Sequence, residues 1–212
     1  MVIAVIRVMQ VVVLTDEDLR EELLNGVETI DADIVWVQSL SQLQQYQSAD
    51  VIIDLLYDAS HRPVLENLFP ALIVINSVEQ TLKETNPSFV RINGWRTFLK
   101  SSIVEASIAR EENKLKAEGV FALFHKKLEW VPDEIGFITP RVVSMIINEA
   151  FIALKEGVST KEEIDIAMKL GTNYPFGPFE WAEKIEVEKV HCLLNSLSKY
   201  NSRYAVKQEV WK

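Results

Sequence analysis

The residues able to transfer protons, attack a carbonyl carbon or hold a metal are few and scattered. His61, His125 and His191 are the only histidines, and none falls in a metal-ligand spacing, so each reads as a surface or loop residue. The single cysteine, Cys192, lies in the apolar stretch Val190–Leu193 and reads as core rather than nucleophile. With one cysteine there is no disulfide framework or multi-cysteine zinc site, which points to a reducing cytoplasm. The aromatic cluster Tyr174, Phe176, Phe179 and Trp181 reads as packing in preference to the lining of an acyl pocket. Three consecutive acids, Asp16, Glu17 and Asp18, follow the apolar run Val11–Leu14. Carboxylates there complement the first turn of a helix but repel an anionic phosphate. Glycine, which a phosphate-cradling loop needs, is scarce: 7 in 212 residues, where average usage of about 7% would give about 15. Only Gly26 lies in the first 90 residues.

Two kinds of element must position these groups. Up to about residue 130, short β-branched runs alternate with helical patterns. Strands are expected at Val11–Leu14, Ile34–Val37, Val51–Leu55 and Leu72–Ile75, with Val2–Ile6 a further edge candidate. Asp16–Leu24, Gln38–Tyr46, Pro63–Leu68 and Asn113–His125 have the mixed polarity of covering helices. Fully apolar strands separated by helices are what a parallel sheet buried on both faces requires, so a doubly wound, Rossmann-like sheet is expected. From Asp133 the pattern is helical. Thr139 and Pro140 suit the start of a helix, apolar around most of its circumference, that Gly157 ends. Ser159 with Glu162 has capping-box spacing, Gly171 is the expected stop of that helix, and Pro178 and Val187–Tyr200 mark two more. The expected boundaries are 1–130 for the α/β domain and 131–212 for the helical one, with no internal repeat or flexible linker.

Composition narrows the partners. The net charge is −9 with no Lys/Arg cluster, so a nucleic-acid partner is not expected. The apolar start, Met1–Leu14, carries Arg7 and Gln10 and reads as β-structure rather than a leader. No run reaches the ~20 apolar residues of a membrane helix.

The blocks Gly136-Phe137-Ile138, Arg141, Asn148-Glu149-Ala150, Glu156-Gly157-Val158, Ile164–Gly171 and Tyr174–Glu180 resemble, in order, the C-terminal domain of the 3-hydroxyacyl-CoA dehydrogenases. More faintly, Ala49–Asp54 is similar to that family's Ala-Asp-(hydrophobic)₃-Glu strand. Ser88–Val90 and Ile103–Glu105 can be laid on the segment carrying its catalytic His–Glu pair. The resemblance implies a reduced Rossmann-like domain, lacking the long helical insertion after the second strand, followed by a helical dimerisation domain.

The family oxidises a 3-hydroxyacyl thioester with NAD, using a histidine base oriented by a glutamate twelve residues later. On that match the glutamate is retained as Glu105, and the histidine position holds Asn93, whose amide does not titrate. The asparagine that polarises substrate falls on Pro140, and the family serine falls near Asn76-Ser77-Val78, on Val78. The glycine positions of the cofactor loop hold Thr15, Glu17 and Arg20, and the ribose-binding acid is replaced by Gln38. Glu105 is thus the one catalytic position carried over, no cofactor is expected, and NAD enters only if the family's binding survives. The leading expectation is a dehydrogenase-like protein with lost or impaired activity. It would act as a binding or assembly module, as a homodimer through the helix beginning at Pro140, with an acyl-CoA-like ligand. The alternative is an active oxidoreductase on a 3-hydroxyacyl-CoA or similar hydroxy acid with an altered site.

Overall fold

Runs of Val, Ile and Leu with no polar face cannot rest at a surface, and here they become strands walled in on both sides. A computed structural model describes residues 8–206; the strand expected at Val2–Ile6 lies outside them. The chain forms two compact units, the first ending at Asp133 and the second beginning at Glu134.

In the first unit the strands are β1 (Gln10–Leu14), β2 (Asp33–Val37), β3 (Val51–Asp54), β4 (Leu72–Asn76), β5 (Val90–Ile92), β6 (Ile103–Ile108) and β7 (Lys127–Trp130). The helices are α1 (Glu17–Leu23), α2 (Leu40–Leu43), α3 (Arg62–Glu66) and α4 (Lys114–Leu123). One seven-stranded sheet runs in the order β2-β1-β3-β4-β5-β6-β7. Every pair is parallel except β5 with β6, so the Rossmann-like parallel sheet expected from the sequence is present, with one antiparallel pair within it. Side chains alternate between faces along a strand. Val11, Val13, Val51 and Ile53 pack with Leu19 and Leu23 of α1 and Ala117, Val120 and Phe121 of α4. Val12, Leu14, Ile52 and Ile73 pack on the opposite face with Leu43 of α2 and Leu65 of α3.

Polar residues at the far side of the sheet are held by specific partners. Arg91, in the middle of β5, is completely buried; its Nη1 donates to the Gln80 carbonyl at 2.7 Å and lies 3.1 Å from the Asp133 carboxylate. The other oxygen of Asp133 accepts the Leu82 amide at 2.8 Å.

The second unit comprises α5 (Thr139–Lys155), α6 (Lys161–Thr172), α7 (Pro178–Ile185) and α8 (Val187–Ser198). Thr139 is the first helical residue rather than the cap: Ile138 stands at the N-cap, after a turn in which Gly136 and Phe137 take φ of 81° and 46°. The capping box lies one residue later than the Ser159–Glu162 spacing suggested. It is formed by Thr160 and Glu163, whose side chains and backbone amides bond reciprocally. Gly171 does not stop α6, which continues to Thr172 and ends at Asn173 with φ 57°, a conformation asparagine tolerates. Cys192 is exposed, not core, because α8 buries Val190, Leu193, Leu194 and Leu197 and turns Cys192 away from that stripe. The aromatic residues stack on one another, Tyr174 and Phe176 lying 5.4 and 6.1 Å from the buried Trp181 and Phe179 5.0 Å from Phe151. No helix among the described residues is long and apolar enough to cross a membrane.

Candidate functional site

Parallel strands end together, so whatever follows each one is gathered along a single edge of the sheet. There the antiparallel turn from β5 to β6 sets Asn93 directly across from Glu105. The Asn93 amide donates to the Glu105 carbonyl at 2.9 Å, and its side-chain Nδ2 donates to the Glu105 carboxylate at 3.1 Å. Residues twelve apart in sequence come within hydrogen-bond reach because the register pairs Ile92 with Ala106. The arrangement is that of an orienting carboxylate and the group it orients, but that group is an amide, which neither gains nor loses a proton near neutral pH.

Asn76, at the end of β4, locks this edge together. Its Nδ2 donates to the carbonyls of Leu55 and Gly94, each at 3.0 Å, and its Oδ1 accepts the Gly94 amide at 2.9 Å. A Cβ on Gly94 would lie 2.8 Å from the Asn76 side chain, so this close approach excludes any larger residue. Ser77 and Val78 follow and are buried; Val78 is fully buried and has no polar side-chain atom for a ligand. Pro140 lies in the first turn of α5, in the other unit.

The turn after β1 shows what replaces a phosphate cradle. Asp16 caps α1, its Oδ1 accepting the Leu19 amide at 2.9 Å. Arg96, from the loop joining β5 to β6, reaches across to pair with Asp16 at 2.7 Å and with Asp18. The next residue, Thr97, takes φ 77°, a strained conformation for a β-branched residue. Its amide is held by both oxygens of Glu22, at 2.7 and 2.9 Å. Burial pushes the Glu22 carboxyl up, partly offset by the bonds it accepts from the Thr97 and Lys100 backbone. The loop is therefore pinned onto the start and the body of α1. Beside it Thr15, Glu17, Arg20, Trp36 and Gln38 line a pocket of about 280 Å³, with the Arg20 guanidinium 4.9 Å from the centre of the Trp36 ring. All four residues expected in the cofactor loop and ribose positions thus share one pocket.

One pair on this edge escaped the sequence reading. Asp54, at the end of β3, is completely buried and lies 2.7 Å from Nδ1 of His61, which is half-buried rather than free in a loop. The signal available was an acid terminating a fully apolar run, with a histidine just beyond the turn. No group of three potential metal ligands forms among the described residues.

Comparison with known proteins gives the second unit its relatives. Residues 136–212 match the sequence pattern of the 3-hydroxyacyl-CoA dehydrogenase C-terminal domain. A 3-hydroxybutyryl-CoA dehydrogenase of Clostridioides difficile is 36% identical over 99 residues, 45% of this chain and 35% of that protein. The 3-hydroxyadipyl-CoA dehydrogenase of Escherichia coli K12 is 43% identical over 67 residues, 32% of this chain and 14% of that protein. The matches thus span about a third or less of these relatives. Among solved structures, the (S)-3-hydroxybutyryl-CoA dehydrogenase of Ralstonia eutropha superposes with a TM-score of 0.71 at 16% identity, covering 96% of this chain and 92% of that one. A 3-hydroxybutyryl-CoA dehydrogenase of Escherichia coli K12 gives 0.70 at 16%, covering 97% and 56%. At such identities the likeness is one of fold: a Rossmann-type sheet followed by a helical unit.

Proposed function

We propose, for a chain whose C-terminal unit belongs to the 3-hydroxyacyl-CoA dehydrogenase family, that it keeps the family scaffold without the family's NAD-dependent reaction and serves as a binding or assembly module. The observation that carries this reading is the Asn93–Glu105 hydrogen bond: the orienting carboxylate is in place, and the group it holds accepts no proton. Glu105 is then a structural partner of Asn93 rather than half of a base.

The cofactor edge supports the same reading. A dinucleotide needs backbone amides turned toward its pyrophosphate at a helix start. Here Asp16 and Asp18 bring two carboxylates to that place, and Arg96 is engaged by both. These residues fit a pyrophosphate poorly. The retained helical unit supports two further parts of the reading, an acyl-CoA-like ligand and a homodimer. Ile138, at the N-cap of α5, and Val142 within it are exposed one turn apart; on α6, Ile166 and Leu170 are, while Asp165 is that helix's only buried residue.

The test mixes purified protein with acetoacetyl-CoA and NADH or NADPH and follows cofactor absorbance, with thermal shift in parallel. The expected result is no turnover, no shift with either nucleotide, and a shift with the CoA thioester. Turnover that disappears in Glu105→Ala overturns the reading in favour of an active oxidoreductase.

A further inference from the structure

The Asp54–His61 pair has no part in the Asn93–Glu105 arrangement, yet its position in the sheet is the one where ligands are expected. Asp54 pairs in register with Leu14, the last residue of β1. From β1 the chain moves outward to β2 and then returns to the other side for β3, so Leu14 and Asp54 flank the point where the strand order reverses. Open α/β sheets bind ligands in the crevice beyond the carboxyl ends of strands at such a point.

A carboxylate buried without partners is costly, and here both oxygens are committed. Oδ1 accepts the Leu56 amide at 3.0 Å, and Oδ2 meets His61 Nδ1 at 2.7 Å. The imidazole is fixed by local structure. Asp58 caps the short turn Ala59–His61 by accepting the Ser60 amide at 2.8 Å, and the turn runs directly into α3, with Pro63 in its first turn. The Tyr57 ring packs edge-on against the imidazole at 6.3 Å. The His61 side chain retains 18% of its exposure, and Nε2 has no hydrogen-bond partner among the described residues. With the Nδ1 proton held by Asp54, the neutral ring carries its lone pair on Nε2.

We propose that Asp54 and His61 form an acid–base site at the strand-order reversal, where His61 Nε2 exchanges a proton with an oxygen of a small carbonyl or hydroxyl compound and Asp54 positions the ring. The charges around it favour a basic imidazole. The bond to Asp54 is the largest influence and raises the His61 pKa, with Asp58 acting in the same direction against partial burial. Arg62, the nearest cation in sequence, is held by Glu66 at 2.8 Å and by the Glu84 carbonyl at 3.5 Å; the Tyr57 phenol is pushed up by burial and stays neutral. The site is independent of the function proposed above, because neither a nucleotide nor a CoA thioester enters its test.

The probe is p-nitrophenyl acetate. His61 Nε2 takes a proton from water as the water oxygen adds to the ester carbonyl; the bond from the acyl carbon to the aryl oxygen breaks, p-nitrophenolate and acetic acid leave, and the acid and the imidazolium each release one proton to solvent. The rate above buffer is expected to fall at least fivefold in His61→Gln and to stay unchanged in His125→Gln and His191→Gln. In Asp54→Asn the inflection of the pH–rate profile should move to lower pH. A second measurement needs no variant at the buried acid: in the wild-type protein the His61 Cε1–H resonance, assigned by its loss in His61→Gln, should titrate above an ordinary histidine's ~6.5. An unchanged hydrolysis rate in His61→Gln, or a His61 titration at or below that value, overturns the proposal.

Discussion

At the scale of single residues, one substitution decides how the edge of the sheet behaves. Asn93 was legible as the occupant of the base position, but its hydrogen bond to Glu105 was not, since only the β5–β6 register brings the two together. Asn93→His restores an imidazole beside a carboxylate. The expected outcome is still no NADH oxidation with acetoacetyl-CoA, because Asp16 and Asp18 remain at the cofactor edge; turnover in this single variant would show that the edge still admits a dinucleotide. Arg96→Ala leaves those two carboxylates facing each other. Arg96 is 24% exposed, so the expected loss is modest, about 1 kcal/mol or less, and smaller at high salt. Urea melts at low and high salt measure it. His61 was misread because its partner, Asp54, is seven residues away across the end of a strand, and nothing in their spacing announces a bond.

At the scale of elements, legibility followed how fully each segment's own residues argued for it. β1, β3 and β4 are unbroken apolar runs and were found nearly to the residue. β5, β6 and β7 were missed because Arg91, Glu105, Ser107, Lys127 and Glu129 interrupt their apolar runs, Arg91 and Ser107 being buried only through tertiary partners. Helix α2 shrank to Leu40–Leu43 because only its first turn is capped, by Ser39. In the helical unit, α7 depends on a capping residue from outside it. The Asp165 carboxylate accepts the Phe179 and Glu180 amides at 2.9 and 3.2 Å, and a Cβ on Gly177 would lie 2.2 Å from that carboxylate. Gly177→Ala should therefore displace Asp165 and cost about 1–3 kcal/mol, combining overpacking with the loss of a cap. Asp165→Ala should cost a similar amount, and the double variant less than the sum, as chemical denaturation of all three will read.

At the scale of the whole molecule, the Asp54–His61 pair links stability to pH. Both groups have folded-state pKa values above their ordinary ones: Asp54 because burial outweighs its bonds, His61 because of Asp54. Their contribution is thus fully present below the unfolded values and is lost as pH rises through the folded ones. Unfolding free energy from urea melts should fall as pH rises, for Asp54 from above the ordinary carboxylate range and for His61 from above ~6.5, with the slope flattened in His61→Gln. The two-unit division carries a different consequence, through Arg91. Its buried guanidinium draws one of its partners, Asp133, from the final residue of the first unit. The sheet is therefore not finished when its last strand is, at Trp130. A fragment cut after Trp130 loses the carboxylate that faces the buried Arg91 and should be less stable by about 1–3 kcal/mol, since Asp133 is partly exposed and Arg91 keeps the Gln80 carbonyl. One cut after Asp133 keeps it, so three residues of tail separate a sound α/β fragment from a failing one.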